Sequence, residues 1–231
     1  MQKTGVFQIS QEERKAAIDS LIEQSTPKFD FFLLLILSIF IVVPGLFMNN
    51  PAVIIGGMVV APMMSPILSL ALGMSITDFR LMRRSLQTLF YALVLTMFTS
   101  MVMSFFYHTV DAGTEILTRT YPSLSDLLIA IASGIAASFA LVRPNLSATL
   151  PGIAISVSLL PAIAVTGIGF AFGDLQLITG SITLFAINLL GIIFSAIIIF
   201  NLFGFFQARR ESEKKLKEEA ETIKKAIPPK A

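Results

Sequence analysis

Apolar runs of helix-spanning length, separated by short polar turns, dominate the chain from Phe29 onward. A bilayer core of about 30 Å needs about 20 apolar residues of helix. The runs predict six spans, at Phe29–Phe47, Pro51–Ile76, Leu86–Tyr107, Leu124–Val142, Leu146–Phe172 and Leu175–Phe206. Polar stretches between them are short apart from His108–Ser123, so consecutive spans are expected to be antiparallel neighbours. Ahead of the first run, Ser10–Gln24 places Ala17, Ile18, Leu21 and Ile22 at helical spacing behind a Ser10/Glu13 capping-box pattern. This predicts a short amphipathic helix, either docked on the membrane or a subunit or held loosely as an arm. After the last run, Gln207–Ala226 alternates acidic and basic residues, the pattern of a solvated helix or of a charged oligomer contact. Three regions result: residues 1–28 as an amphipathic N-terminal helix, 29–206 as the membrane domain, and 207–231 as a charged tail.

Two of the six runs do not read as smooth rods. Asn49–Gly73 holds Pro51, Gly56, Gly57, Pro62 and Pro66, and Asn145–Gly169 holds Pro151, Gly152 and Pro161. Proline removes a backbone donor and clashes with the preceding turn. In hydrocarbon the freed carbonyls need partners, so irregular backbone survives only inside protein or beside a wet cavity. A shift of 95 residues lays Asn50 on Asn145, Gly57 on Gly152 and Pro66 on Pro161 without a gap. The same shift matches Ser38 with Ser133, Thr88-Leu89-Phe90 with Thr183-Leu184-Phe185, and Ser100 with Ser195. Each half, 29–107 and 124–206, has three spans, an odd number, so the second half enters the membrane inverted. The expected fold is therefore an all-α polytopic membrane protein of two inverted three-helix repeats, with helices two and five broken.

Charge orients this arrangement. With the N-terminus cytoplasmic, 16 of the 17 basic residues fall on one side, and Arg119 alone on the other beside Asp111, Glu115, Asp126 and Asp174. The positive-inside rule then puts both termini in the cytoplasm of a cell inner or plasma membrane. Composition agrees: 55% of residues are hydrophobic, 14% charged, and the mean hydropathy is +0.80. The first apolar run follows a charged helix, which reads as a retained span and not a cleaved leader. The net charge of +2 gives no reason to expect nucleic-acid binding.

Candidate chemistry is sparse. The chain has no cysteine and a single histidine, His108, at a span end, which leaves no zinc constellation. Embedded serines such as Ser65, Ser156 and Ser158 have no visible base, and no phosphate-binding glycine loop is present. The chain is expected to be neither an enzyme nor a cofactor carrier. In helix four, Ala130, Gly134 and Ser138 recur every fourth residue, a spacing that lets helices approach closely. Asn188 lies mid-span in helix six, as interhelical glue or a pathway contact.

The run GGMVVAPMMSPILSLALG, the basic loop after Asp78 and the run VRPNLSATLPGIAISVSLLPAIAVTGIGFAFGD resemble the prokaryotic domain of unknown function 389 family, also called the uncharacterised hydrophobic-domain family. The resemblance covers about Phe29 to Phe206. It implies a multi-span integral membrane protein and supplies no substrate.

The functional expectation is a transporter or channel for a small solute or ion, with its pathway where helices two and five meet. Its candidate lining is Asn50, Gly56, Gly57, Pro62, Ser65 and Pro66 from one half, and Asn145, Pro151, Gly152, Ser156, Ser158, Pro161 and Thr166 from the other. The glycines serve either the pathway or close helix packing, since both need a missing side chain. Arg143 stands before helix five as an entrance charge or a lipid-phosphate contact. Membrane lipids and further copies of the chain are the expected partners. The alternatives are a structural or regulatory membrane subunit, and a protein that moves lipid.

Overall fold

The computed structural model describes residues 9–24, 28–107, 113–143, 146 and 149–205; the charged tail from residue 206 and Asn145 lie outside them. Among the described residues the chain is all helix, with no strand. In order the helices are α1 (Gln11–Gln24), α2 (Phe29–Phe47), α3 (Pro51–Val60), α4 (Met64–Ser75), α5 (Phe79–Ser104), α6 (Thr114–Leu117), α7 (Leu124–Val142), α8 (Leu150–Ser156), α9 (Leu159–Phe172) and α10 (Leu175–Leu202). Four of them, α2, α5, α7 and α10, are long and apolar enough to cross a membrane; the bent pair α3–α4 makes a fifth if counted as one span.

Helix starts follow local chemistry. Ser10 and Glu13 exchange bonds at the head of α1, the Ser10 N–H to the carboxylate at 2.8 Å and the Glu13 N–H to the hydroxyl at 3.0 Å. The first of these bonds lowers the Glu13 pKa below the ordinary carboxylate value. Helix α5 begins at Phe79, seven residues earlier than the apolar run indicates. The reason is Asp78, whose carboxylate accepts from the N–H groups of Arg80 and Leu81 at 3.0 and 3.1 Å. The basic residues Arg80, Arg83 and Arg84 thus ride on a helix where the sequence predicted a loop.

The same hairpin turn occurs three times. In each, a glycine closes one helix, a left-handed residue follows four positions on, and a capping Asn or Asp starts the next helix. The sets are Gly45, Asn49 and Asn50; Gly73, Thr77 and Asp78; and Gly169, Gly173 and Asp174. The cap N–H returns to the glycine carbonyl at 2.9, 2.8 and 2.9 Å. A Cβ on Gly45, Gly73 or Gly169 would lie 3.1, 3.1 or 3.0 Å from the backbone nitrogen of Ile54, Met82 or Ile178, so glycine permits the close approach.

Contacts at the helix ends fix direction. Phe47, closing α2, stacks on Tyr107 beyond α5 at 4.0 Å and meets Phe172 of α9 edge-on at 6.5 Å. Helices α2, α5 and α9 therefore finish at one end of the bundle. At another end, Phe139 of α7 meets Phe203 beyond α10, and Ser75 of α4 donates to Asn201 of α10 at 2.9 Å. Helices α4, α7 and α10 finish there together. Side by side lie α2 with α3, α4 with α5, and α2 with α5; likewise α7 with α8, α9 with α10, and α7 with α10. Cross-contacts join α5 to α9 and α10 to α4.

Helix α1 is a docked element and not a loose arm. It packs on α4 and α7, burying Ala17 and Leu21. Arg14 donates to the Phe203 carbonyl at the end of α10 at 3.1 Å and places its guanidinium over the Phe205 ring. The small face of α7 is a packing surface. Ala130, Gly134 and Ser138 are all buried, and Gly134 sits against Ile192 and Ser195 of α10 while Gly191 of α10 sits against Ala130. The opposite faces of the long helices stay apolar and exposed, as along Leu86, Phe90, Val94, Phe98 and Val102 of α5. Such a surface suits hydrocarbon better than water.

Candidate functional site

Two interrupted helices form the candidate site. In the first, α3 ends at Val60 and α4 starts at Met64, with a bend of 54°. Pro62 disfavours helical geometry at the residue before it, and Ala61 is extended at φ −73° and ψ 121°. Pro66, third in α4, lacks an N–H at a position where that donor would be orphaned anyway. Of the carbonyls the break frees, that of Gly57 accepts from the Ser38 hydroxyl of α2 at 2.6 Å.

The second break has no proline at its centre. Helix α8 ends at Ser156, Val157 is extended, and Ser158 at φ −68° and ψ 51° forms an inverse γ-turn in which the Leu159 N–H donates to the Val157 carbonyl at 2.6 Å. Pro161 accounts for this. Having no N–H, it cannot bond the Val157 carbonyl one turn earlier, and that carbonyl takes the Leu159 donor instead. Ser156 donates to the freed Ile153 carbonyl at 2.7 Å and pairs with Ser133 of α7 at 2.6 Å. Ser133 thus supports the second break as Ser38 supports the first. Both serines were visible in the sequence as a repeat match, with no sign that they serve the breaks.

The sequence-derived residues separate into distinct groups. Asn50 is a cap, its side-chain oxygen accepting from Ala52 and Val53 at 3.1 and 3.3 Å. Gly57 is buried, and a Cβ there would lie 2.5 Å from Val42 Cγ2 and 3.0 Å from the Ser38 carbonyl oxygen. Gly56 and Gly152 are exposed, with nothing within 4 Å of a built Cβ. Pro62, Ser65 and Ser158 are half-buried, Ser156 is exposed, and Pro66 and Pro161 are buried. Thr166 is buried deeper in α9, bonded to the Ala162 carbonyl and to Ser181. Pro151 is the second residue of α8, and Asn145 is outside the described residues. Arg143 is the C-cap of α7, its guanidinium over the Phe203 ring at 5.9 Å. The helices that lead into the two breaks are neighbours: α3 packs on α8 and also touches α9. Among the described residues no cluster of His, Asp or Glu fit for a metal occurs.

These breaks lie within a region of known family. The profile of the family described as "Domain of unknown function (DUF389)" matches residues 58–194, from the last turn of α3 into α10. The chain belongs to the DUF389 family. Both helix breaks and the α4–α5 and α9–α10 hairpins are therefore inside the DUF389 region. An uncharacterized protein of Methanocaldococcus jannaschii is 31% identical over 172 residues, which is 74% of this chain and 53% of the relative. This DUF389 chain spans about half the length of that relative. No solved structure matches it.

Proposed function

We propose that this DUF389 protein is an integral membrane transporter or channel for a small solute or ion, with six spans in two inverted repeats and its pathway where the two broken helices meet. The observation that carries the reading is the pair of interrupted helices, packed together through α3 and α8, with Gly56 and Gly152 facing open space. Interrupted backbone at membrane depth is tolerated beside a cavity or inside protein, and broken helices are a recurrent way to build a transport site.

Helix direction supports the inverted repeat. Beginning beside Phe47, α3–α4 ends beside Asn201; α8–α9 begins after Arg143 and ends beside Phe47. The two broken helices thus traverse the bundle in opposite senses. Contacts within the first half recur in the second, and α5 on α9 mirrors α10 on α4. Turn geometry refines the sequence match: Gly73 and Asp78 correspond to Gly169 and Asp174, one residue further than the 95-residue shift. Helix α9, two residues longer than α4, accommodates that residue.

Both termini are cytoplasmic in this reading, with α1, Arg14, Arg143 and the end of α10 on the basic side. Lipids and further copies of the chain are its partners, and it carries no catalytic chemistry. Purified protein in liposomes tests the proposal, with flux of a panel of small anions, cations and neutral solutes measured beside exchange of labelled lipid. Solute flux above that of protein-free liposomes is the expected result. Lipid exchange without solute flux would mark a lipid-moving protein, and neither would mark a structural or regulatory subunit.

A further inference from the structure

One buried hydroxyl stands apart. Thr96 of α5 is fully buried, and its Oγ1 has no hydrogen-bond partner among the described residues. Other buried helical hydroxyls have partners: some return to a carbonyl one turn earlier, as Ser104 to Ser100 at 2.8 Å, Ser138 to Gly134 at 2.6 Å, Thr166 to Ala162 at 3.1 Å and Ser195 to Gly191 at 2.8 Å, and some reach another helix, as Ser38 to Gly57 at 2.6 Å. A buried polar group left unpaired is costly, so its persistence calls for an explanation.

Its position supplies one. Thr96 shares a face of α5 with Ser100 one turn on, and the Ser100 hydroxyl donates to the Ala164 carbonyl of α9 at 2.6 Å. Helices α5 and α9 finish side by side at Phe47, so they run in the same direction. One turn back from Ser100 is therefore level with one turn back from Ala164, which is Leu160 in the first turn of α9. That helix has no side-chain cap: Ser158 makes no capping bond. The Leu159 N–H is taken by Val157, Pro161 has none, and the Ala162 N–H is taken by the Ser158 carbonyl at 3.3 Å. The Leu160 N–H lies in this uncapped first turn, at the positive end of the helix dipole. No Asp, Glu, Lys or Arg occurs in α8, in α9, or in α5 beyond Arg84, so the dipole sets the local potential.

We propose that Thr96 and the first turn of α9 form a binding site for a singly charged small anionic group, a halide or a small carboxylate, at the second break. The Thr96 hydroxyl and the Leu160 N–H donate to it, and the dipole favours its charge. At the first break the place of Thr96 falls on α10, to Gly191 by the 95-residue shift or to Ile192 by the turn-refined one; neither has a hydroxyl, so this site occurs at one break only. The inference rests on the proposed pathway at the breaks for its role in transport, though binding stands by itself.

The test compares thermal unfolding of purified full-length wild type, Thr96→Val and Thr96→Ser in chloride, in formate and in bulky gluconate at equal ionic strength. Chloride or formate should raise the wild-type Tm in a saturable way, and the one that does identifies the anion class. Thr96→Ser should keep the response. Thr96→Val should weaken the apparent affinity about tenfold or more, the effect of losing a hydrogen bond to a charged group, while its Tm in gluconate equals or exceeds that of wild type. An unchanged response in Thr96→Val, no response in wild type, or failure of Thr96→Val to fold in gluconate would each overturn the site. Flux of the same anion into liposomes separates the two proposals. A lost Tm response in Thr96→Val with no wild-type flux keeps the site and sinks the pathway; wild-type flux with an unchanged response does the reverse.

Discussion

Leucine at Gly57 and leucine at Gly152 should have opposite consequences, although the two glycines are partners under the sequence repeat. Gly57→Leu is expected to abolish folded protein. Its first added carbon would lie 2.5 Å from Val42 Cγ2 and 3.0 Å from the Ser38 carbonyl oxygen, so α3 would have to leave α2. Such a displacement also breaks the 2.6 Å bond from Ser38 that satisfies the Gly57 carbonyl. Overpacking costs about 1–3 kcal/mol for well-packed sites, and loss of the buried bond adds about 1–3 kcal/mol. Gly152→Leu meets nothing within 4 Å and should fold at the wild-type level. If α8 borders the pathway, the same variant should lose most of its flux. Monodisperse yield in detergent and liposome flux, measured together, check both halves. A folded Gly57→Leu would remove the packing assignment, and full flux in Gly152→Leu would take Gly152 out of the pathway.

The second large effect is expected at Gly134, where α7 and α10 come closest. A Cβ there would press into Ser195 Oγ and lie 2.7 Å from the Ile192 carbonyl oxygen. A side-chain hydroxyl can be cut away, but a backbone oxygen cannot. Gly134→Leu should therefore leave no folded protein. Gly134→Ala should be destabilised by about 1–3 kcal/mol, and Ser195→Gly in the same chain should recover only part of that loss. Gly56→Leu, facing open space, is the control and should be neutral for folding. Full rescue of Gly134→Ala by Ser195→Gly would mean that the backbone approach is not limiting.

These contrasts mark what the sequence could reveal. Proline chemistry is local, so Pro62, Pro66 and Pro161 announced both breaks, and apolar length announced the long helices. The small face of α7 was legible for the same reason, since Ala130, Gly134 and Ser138 follow helical spacing. Tertiary choices were not legible. Gly57 and Gly152 look alike in the chain, yet one is pressed on α2 and the other is open, because the short α8 is held to α7 through Ser133 and Ser156. The second break falls at Val157–Ser158, not at a proline, since Pro161 acts on the carbonyl four residues before it. Thr96 gave no signal, because a threonine in an apolar helix ordinarily bonds its own backbone. Asp78 extends α5 upstream through a capping bond that hydropathy does not register.

Inversion of the two halves is most directly tested at the N-terminal residues of α5 and α10. Phe79 and Leu175 occupy equivalent positions after the caps Asp78 and Asp174, and they are 73% and 74% exposed. The chain has no cysteine, so single cysteines at these sites can be labelled cleanly. A membrane-impermeant maleimide should label Leu175→Cys on intact cells and Phe79→Cys only after permeabilisation. Labelling of both from the same side would contradict the inverted repeat and the pathway built on it.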